Sequence, residues 1–328
     1  MSAKSVGVGI IGLGFMGRTH LASYARVPGA EVRALFDPSQ RAASTGNLLT
    51  TADDAEKLLA SLPRETTLAH FLARSDIELV SICTPTDTHI ELVRACVAAG
   101  KHVLVEKPTS LDAAAIDALD REARAVGVLV MPAHCMRFWP AWAWMAESIR
   151  TRRFGSVRRA SFRRLGAAPS WSQDFYLNFA RSGGAVVDLH IHDADFVRFA
   201  FGEPTTVRAT GSRRHVVAHY EFAGGTQVLA EGGWMEDPNF AFTMTATVEC
   251  EHAVIDFRLG REPELIVVED GAQRVIRAGV DYPDGNGYDG EIQAMVTAIQ
   301  TGGDAPVTLA DAAATQRLLD REIAAMVA

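Results

Sequence analysis

Several residues of this chain have types and spacings suited to chemistry. Gly12, Gly14 and Gly17 read G-x-G-x-x-G in "VGVGIIGLGFMGRTH", directly after a strand-like run and directly before a helical one. In that setting the first glycine permits a tight turn and the second lets the backbone approach a pyrophosphate. The third lets helix and strand pack closely, and the helix start offers free N–H groups to an anion. Phe15 and Met16 sit inside the loop and count with it as cofactor-binding candidates. Asp37 follows the second strand-like run, 20 residues past Gly17. A carboxylate there accepts hydrogen bonds from an adenosine ribose and repels a 2′-phosphate, which favours NAD. Arg41 nearby keeps NADP open, and an Asp-Pro turn without a ligand is the other reading of Asp37.

Lys107 stands in "VEKPTS" (105–110), between Glu106 and Pro108, just past an apolar run. A lysine beside a reacting hydroxyl can hydrogen-bond the oxygen, polarise it or relay a proton; a solvated loop lysine is the plainer reading. Thr84, Pro85 and His89, in "CTPTDTH", follow another strand-like run. They either line a cofactor crevice or, for His89, form the first turn of a helix. Asp188 and His192 are four apart in "RSGGAVVDLHIHDADFVRF". On a continuous helix they share a face one turn apart, as a general base and its orienting acid would. The same spacing suits a metal pair, or a satisfied histidine behind an acid at a helix start. No further ligand cluster has metal-site spacing, so no metal is expected. Asp195 falls near that face, whereas His190 and Asp193 point elsewhere.

The elements that must position these residues follow from hydrophobic periodicity. "VGVGII", "EVRALF", "IELVSIC", "HVLVE" and "VLVMPA" are apolar strands separated by amphipathic helices. That alternation predicts an α/β Rossmann-like doubly wound parallel sheet over residues 1–133. Its carboxyl ends carry Gly12, Thr84 and Lys107, where ligands bind in such sheets. The stretch 47–67 is ambiguous, with "ADDAEKLLASL" helical. From about residue 155 the pattern becomes strand after strand, with hairpin turns at Gly224-Gly225 and Asp270-Gly271. "AFTMTATVE" alternates apolar and threonine positions, so one face is buried. Residues 134–328 therefore read as an α+β domain with a large, mostly antiparallel open sheet and a C-terminal helix that returns to the first domain; its role in substrate binding and oligomerisation comes with the resemblance described below.

Composition narrows the function. With 328 residues, 48 % of them hydrophobic, the chain is long enough for two domains with real cores. A net charge of −8 and the lack of a basic run argue against nucleic acid and anionic membranes as partners. The four cysteines are scattered without a C-x-x-C pair, which suits a reducing cytoplasm. No signal peptide or membrane span is read.

Taken in order, "GLGFMG", "CTPTDTH", "AGKHVLVEKP", "MRFWP" and "SGGAVVDLHIHDAD" resemble the Gfo/Idh/MocA family of NAD(P)-dependent oxidoreductases, which includes glucose–fructose oxidoreductase and inositol dehydrogenase. The resemblance covers nearly the whole chain. It implies that Lys107, Asp188 and His192 are catalytic and that a cofactor, NAD or NADP, contacts Thr84, Pro85, His89, Glu106 and Lys107. It implies a cis peptide before Pro108. A sugar, inositol-like cyclitol or related polyol would bind; Arg137, Arg163, Trp171, Tyr176 and Tyr288 are candidate substrate contacts by their side-chain chemistry, with a core or interface role as the other reading of each. A homo-oligomer, dimer or tetramer, would form through the open sheet. The chain departs from the family pattern at His190 and Ala185, where glycines are common, and at Thr86, where asparagine is common. Two other readings stay open: a cofactor-binding regulator of the same fold without chemistry, and a reductase of dihydrodiol- or pigment-type substrates.

Overall fold

The computed structural model describes residues 5–38, 58–170 and 172–327. The chain divides into two compact units: Met1–His134 with Tyr288–Ala314, and Cys135–Gly287 with Thr315–Ala328. The first unit thus takes back a late stretch of chain, the helix Gly287–Thr301 and the start of the helix Leu309–Val327.

In the first unit β1 (Val6–Ile11), β2 (Ala30–Phe36), β3 (Leu79–Ile82), β4 (His102–Glu106) and β5 (Val130–Ala133) form a parallel sheet in the order β2-β1-β3-β4-β5. β1, β3 and β5 are buried along their whole length, as strands covered on both faces must be, which explains their unbroken apolar runs. The order reverses at β1, which pairs with β2 on one side and β3 on the other. Such a switch point opens a crevice at the carboxyl ends of β1 and β3. Ile11, Val80, Val93, Val103, Val105, Ile116 and Leu119 form one buried cluster with Leu309, Ala312 and Ala313. Each fully buried aliphatic side chain stabilises the fold by about 1.5–3 kcal/mol. The helix Ala113–Val126 starts where the Asp112 side chain accepts from the Ala114 N–H and stops at Gly127, whose φ of 78° is left-handed. Arg26 grips Asp289 with two hydrogen bonds of 2.8 and 2.7 Å, fastening the returning helix.

In the second unit β6 (Val157–Ala167), β7 (Thr206–Ser212), β8 (His215–Glu221), β9 (Gln227–Met235), β10 (Thr243–Cys250), β11 (Ala253–Arg258), β12 (Leu265–Glu269) and β13 (Ala272–Ile276) make one sheet, ordered β13-β12-β11-β10-β6-β9-β8-β7. Every pairing is antiparallel except β6 with β9. The expected hairpin turns are present, with Gly224 and Gly225 near φ 90° and Asp270 and Gly271 also at positive φ. One face is buried: Phe162, Ala246, Val248, Phe257 and Ala218 pack beneath helices. Trp142 centres this core, its ring 4.7 Å from Phe196 edge-on and 5.7 Å from Phe257. The opposite face is semi-polar and partly exposed, with Thr243, Thr245, Thr247, Arg163, Glu231 and Asp256. No helix among the described residues is long and apolar enough to cross a membrane.

Candidate active site

The glycine loop is built as its spacing requires. Gly12 has φ +88°, and a Cβ there would lie 2.7 Å from the Cys83 carbonyl oxygen at the end of β3. A Cβ on Gly17 would meet the Gly12 carbonyl oxygen at 1.9 Å, so only glycine lets the helix Phe15–Tyr24 approach β1. Gly14 differs: its Cβ position has nothing within 4 Å, and it caps that helix with no side-chain hydrogen bond. Open space before a bare helix N-terminus fits a pyrophosphate. Phe15 and Met16 are half-buried beside it. The Asp37 carboxylate accepts the Leu13 N–H at 2.8 Å, which aims it from the end of β2 along the same loop. Arg41 lies outside the described residues.

Next in the sheet, the loop after β3 is closed by the Thr84 and Thr88 hydroxyls, 2.7 Å apart, with Pro85 exposed. His89 is fully buried, and its ring nitrogens lie 2.9 Å from the Pro108 carbonyl and 2.8 Å from the Thr84 carbonyl. Burial pushes it below its usual pKa, against the two carbonyls that favour the charged ring. Its ring bridges the β3 and β4 loops and the residue opens the helix His89–Ala98, the second of the two readings of His89. Lys107 follows β4 with a half-buried side chain, and its peptide to Pro108 is cis. Glu106 is buried: Oε1 lies 3.1 Å from His20 Nε2 and Oε2 accepts the Lys107 N–H at 3.1 Å.

In the second unit the segment carrying Asp188 and His192 is not one continuous helix. It runs as Ala185–Asp188, then Leu189 and His190, then Ile191–Phe201. The His190 N–H reaches back five residues to the Ala185 carbonyl at 2.8 Å, a π-type turn between the two candidates. The two candidates are thus joined through a five-residue backbone bond rather than through one regular helical turn. Such π-type turns recur at functional sites. Burial separates the polar residues here. Asp193 is buried against Arg164, at 2.9 and 3.0 Å, and Asp195 against Arg137, at 2.8 and 2.7 Å. Asp188 and His192 are the ones left partly exposed.

The expected substrate contacts divide similarly. Arg137 is buried in its bidentate pair with Asp195, which also takes the Thr315 hydroxyl at 3.0 Å, so its guanidinium serves the core. Arg163 lies on the open sheet face, 2.7 Å from Glu231, away from the buried face that holds the helices. These placements favour the core or interface reading of both arginines, whose acidic partners the sequence could not show. Tyr176 is half-buried and packs edge-on against Trp234 at 5.9 Å. Tyr288 is half-buried at the start of the returning helix, in the first unit. Trp171 lies outside the described residues.

Two buried clusters escaped sequence reasoning because their members are far apart in the chain. His20, Glu106 and Glu291 converge in the first unit, with one ligand-type atom of each within 4.8 Å of the others. His190, in the second, lies 3.1 Å from Glu322 Oε2, and Tyr220 donates to Glu322 Oε1 at 2.7 Å. Burial alone would lower the His190 pKa; the Glu322 carboxylate overcomes this and holds it raised. A Cβ on Gly232 would come within 2.6 Å of the His190 Cβ, so that glycine makes room for the ring.

Comparison with known proteins agrees with these features. Residues 6–134 match the Gfo/Idh/MocA model described as an oxidoreductase family with an NAD-binding Rossmann fold, and residues 142–256 match the family's C-terminal domain. The chain is 30 % identical to D-apiose dehydrogenase of Paraburkholderia graminis, over 83 % of this chain and 67 % of that one. It is 31 % identical to inositol 2-dehydrogenase of Rhizobium meliloti, over 63 % of this chain but only 59 % of the relative's length. Levoglucosan dehydrogenase, solved with NADH and levoglucosan, has the same fold at TM-score 0.85 and 21 % identity, covering 99 % of this chain and 98 % of that one.

Proposed function

Because the chain belongs to the Gfo/Idh/MocA family of oxidoreductases, we propose that it is an NAD(P)-dependent dehydrogenase acting on a hydroxyl of a sugar, cyclitol or related polyol. The observation that carries this reading is a glycine loop opening on free space at Gly14, with Lys107 at the carboxyl end of the same sheet. The relatives named for D-apiose and inositol support the substrate class.

In this reading the loop N–H groups around Gly14 hold the pyrophosphate, and the Asp37 carboxylate takes ribose hydroxyls, which favours NAD over NADP. A bound nicotinamide supplies the two-electron chemistry. Lys107 donates a hydrogen bond to the substrate oxygen and steadies its developing negative charge. His192 accepts the hydroxyl proton on its ring, and Asp188 orients that ring. Reduction returns the proton by the same side chains. The semi-polar sheet face, with its three threonines on β10, is covered by a second copy in a dimer or tetramer.

Fluorescence titration with NADH and NADPH tests the cofactor assignment, with tighter NADH binding expected. Lys107→Ala is expected to abolish turnover and leave cofactor affinity nearly intact. Normal turnover by that variant would remove Lys107 from the mechanism.

A further inference from the structure

Glu291 is 0 % exposed, and neither of its carboxylate oxygens has a hydrogen-bond partner among the described residues. It stands on the returning helix Gly287–Thr301, beside Glu106 and His20. Glu106 is well served by contrast: its Oε1 faces His20 Nε2 and its Oε2 takes the Lys107 N–H, both at 3.1 Å. His20 is held in turn, with Nδ1 3.3 Å from the Ser81 hydroxyl, which lies 2.7 Å from the Tyr24 hydroxyl. The titratable groups acting on the pair are His20, Lys107 and His89 on Glu106, Cys83 near both acids and Tyr24 near Glu291. The groups that favour ionisation act on Glu106, and the influences on Glu291 are burial and the Glu106 charge itself.

Two ionised carboxylates in that position would each be desolvated and would repel each other, and the contacts with His20 and the Lys107 N–H are made by Glu106. One proton removes the conflict. It also turns an unpartnered acceptor into a donor, with a carboxylate oxygen of Glu106 within 4.8 Å. A zinc ion would do the same for charge, but the described residues supply three donors where a closed structural zinc site takes four. Burial, then the neighbouring charge, pushes Glu291 well above the usual carboxyl range, while His20 keeps Glu106 below it.

We propose that Glu291 is held as a neutral acid that donates a hydrogen bond to the Glu106 carboxylate, and that this contact with His20 fixes the backbone at Lys107. Glu291 and His20 are thus positioning residues, acting through Glu106. The positioning role rests on the reading of Lys107 given above; the protonation of Glu291 does not.

The test compares the full chain with Glu291→Gln and Glu291→Ala. Glutamine keeps the shape and the donor without the charge, so it is expected to fold with a wild-type melting temperature. Infrared difference spectra near neutral pH should show a protonated carboxyl stretch in the wild type that is missing from Glu291→Gln. No such band means an ionised Glu291 and overturns the proposal. So does about one equivalent of bound metal per chain, present after purification or after incubation with zinc and lost in Glu291→Gln. The rate at which an amine-reactive reagent labels Lys107, read by mass spectrometry, reports positioning without a substrate. Several-fold faster labelling is expected in Glu291→Ala and wild-type labelling in Glu291→Gln. Equal rates in all three proteins overturn the positioning role. If Lys107→Ala retains turnover, the catalytic reading fails while the carboxyl band stands, so the two failures are told apart.

Discussion

The same methyl group added at Gly14 and at Gly17 should damage two different things. At Gly17 the new Cβ lies 1.9 Å from the Gly12 carbonyl oxygen and 2.9 Å from its carbon. Both are backbone atoms, so no rotamer change relieves the overlap and the helix must move off the strand. Overpacking of this kind costs about 1–3 kcal/mol, and this case belongs at or above the upper end. At about 2–4 °C per kcal/mol for a domain of this size, Gly17→Ala should lower the melting temperature by roughly 6–12 °C. At Gly14 nothing lies within 4 Å, and its φ of −68° suits any residue. Gly14→Ala should cost at most about 1 kcal/mol of capping preference, hence a shift of only a few degrees. In the proposed reading, however, its Cβ occupies the approach to the pyrophosphate. Losing one hydrogen bond to a charged phosphate costs about 1.5–3 kcal/mol, which is roughly a 10- to 150-fold weaker Kd. Thermal unfolding followed by circular dichroism and titration with NADH separate the effects. Wild-type NADH affinity in Gly14→Ala would refute the assignment of that space to the cofactor.

Other outcomes follow from the buried pairs. Glu322→Gln leaves His190 without its counter-charge, and breaking a buried pair costs about 3–5 kcal/mol, readable by urea unfolding. Because the folded pKa of His190 is raised, its share of stability is full below the unfolded value of about 6.5 and is lost as pH rises through the folded value. The gap between wild type and Glu322→Gln should therefore narrow at alkaline pH; a constant gap would show that His190 is neutral throughout. Arg137→Ala strands the buried Asp195 carboxylate and should destabilise by a similar 3–5 kcal/mol or so. Arg163→Ala removes a pair whose arginine side chain is 49 % exposed and should cost about 0–1 kcal/mol, with turnover unchanged. A large loss of turnover there would restore Arg163 as a substrate contact.

Periodicity and turn chemistry made most of the fold legible. The parallel sheet followed from apolar runs too continuous for half-exposed strands, and the hairpins followed from Gly224-Gly225 and Asp270-Gly271. The glycine loop was legible because each glycine answers a separate local demand. The parallel pairing of β6 with β9 was not, since strand order depends on contacts far apart in sequence. The same reason hid the partners of Arg137, Arg163 and His190, and the convergence of His20 and Glu291. Local spacing also missed the break in the helix between Asp188 and His192, where one backbone bond spans five residues. His89 looked like a lining residue from its place after β3, yet its ring serves two carbonyls inside the unit.

The most direct measurement is an initial-rate screen of inositols, aldoses and sugar acids with NAD and with NADP, run in parallel on wild type, Lys107→Ala and His192→Ala. Reduction of NAD by at least one polyol, lost in both variants while NADH still binds, is the predicted result. Tight NADH binding with no turnover of any compound in either direction would instead make the chain a cofactor-binding protein without this chemistry.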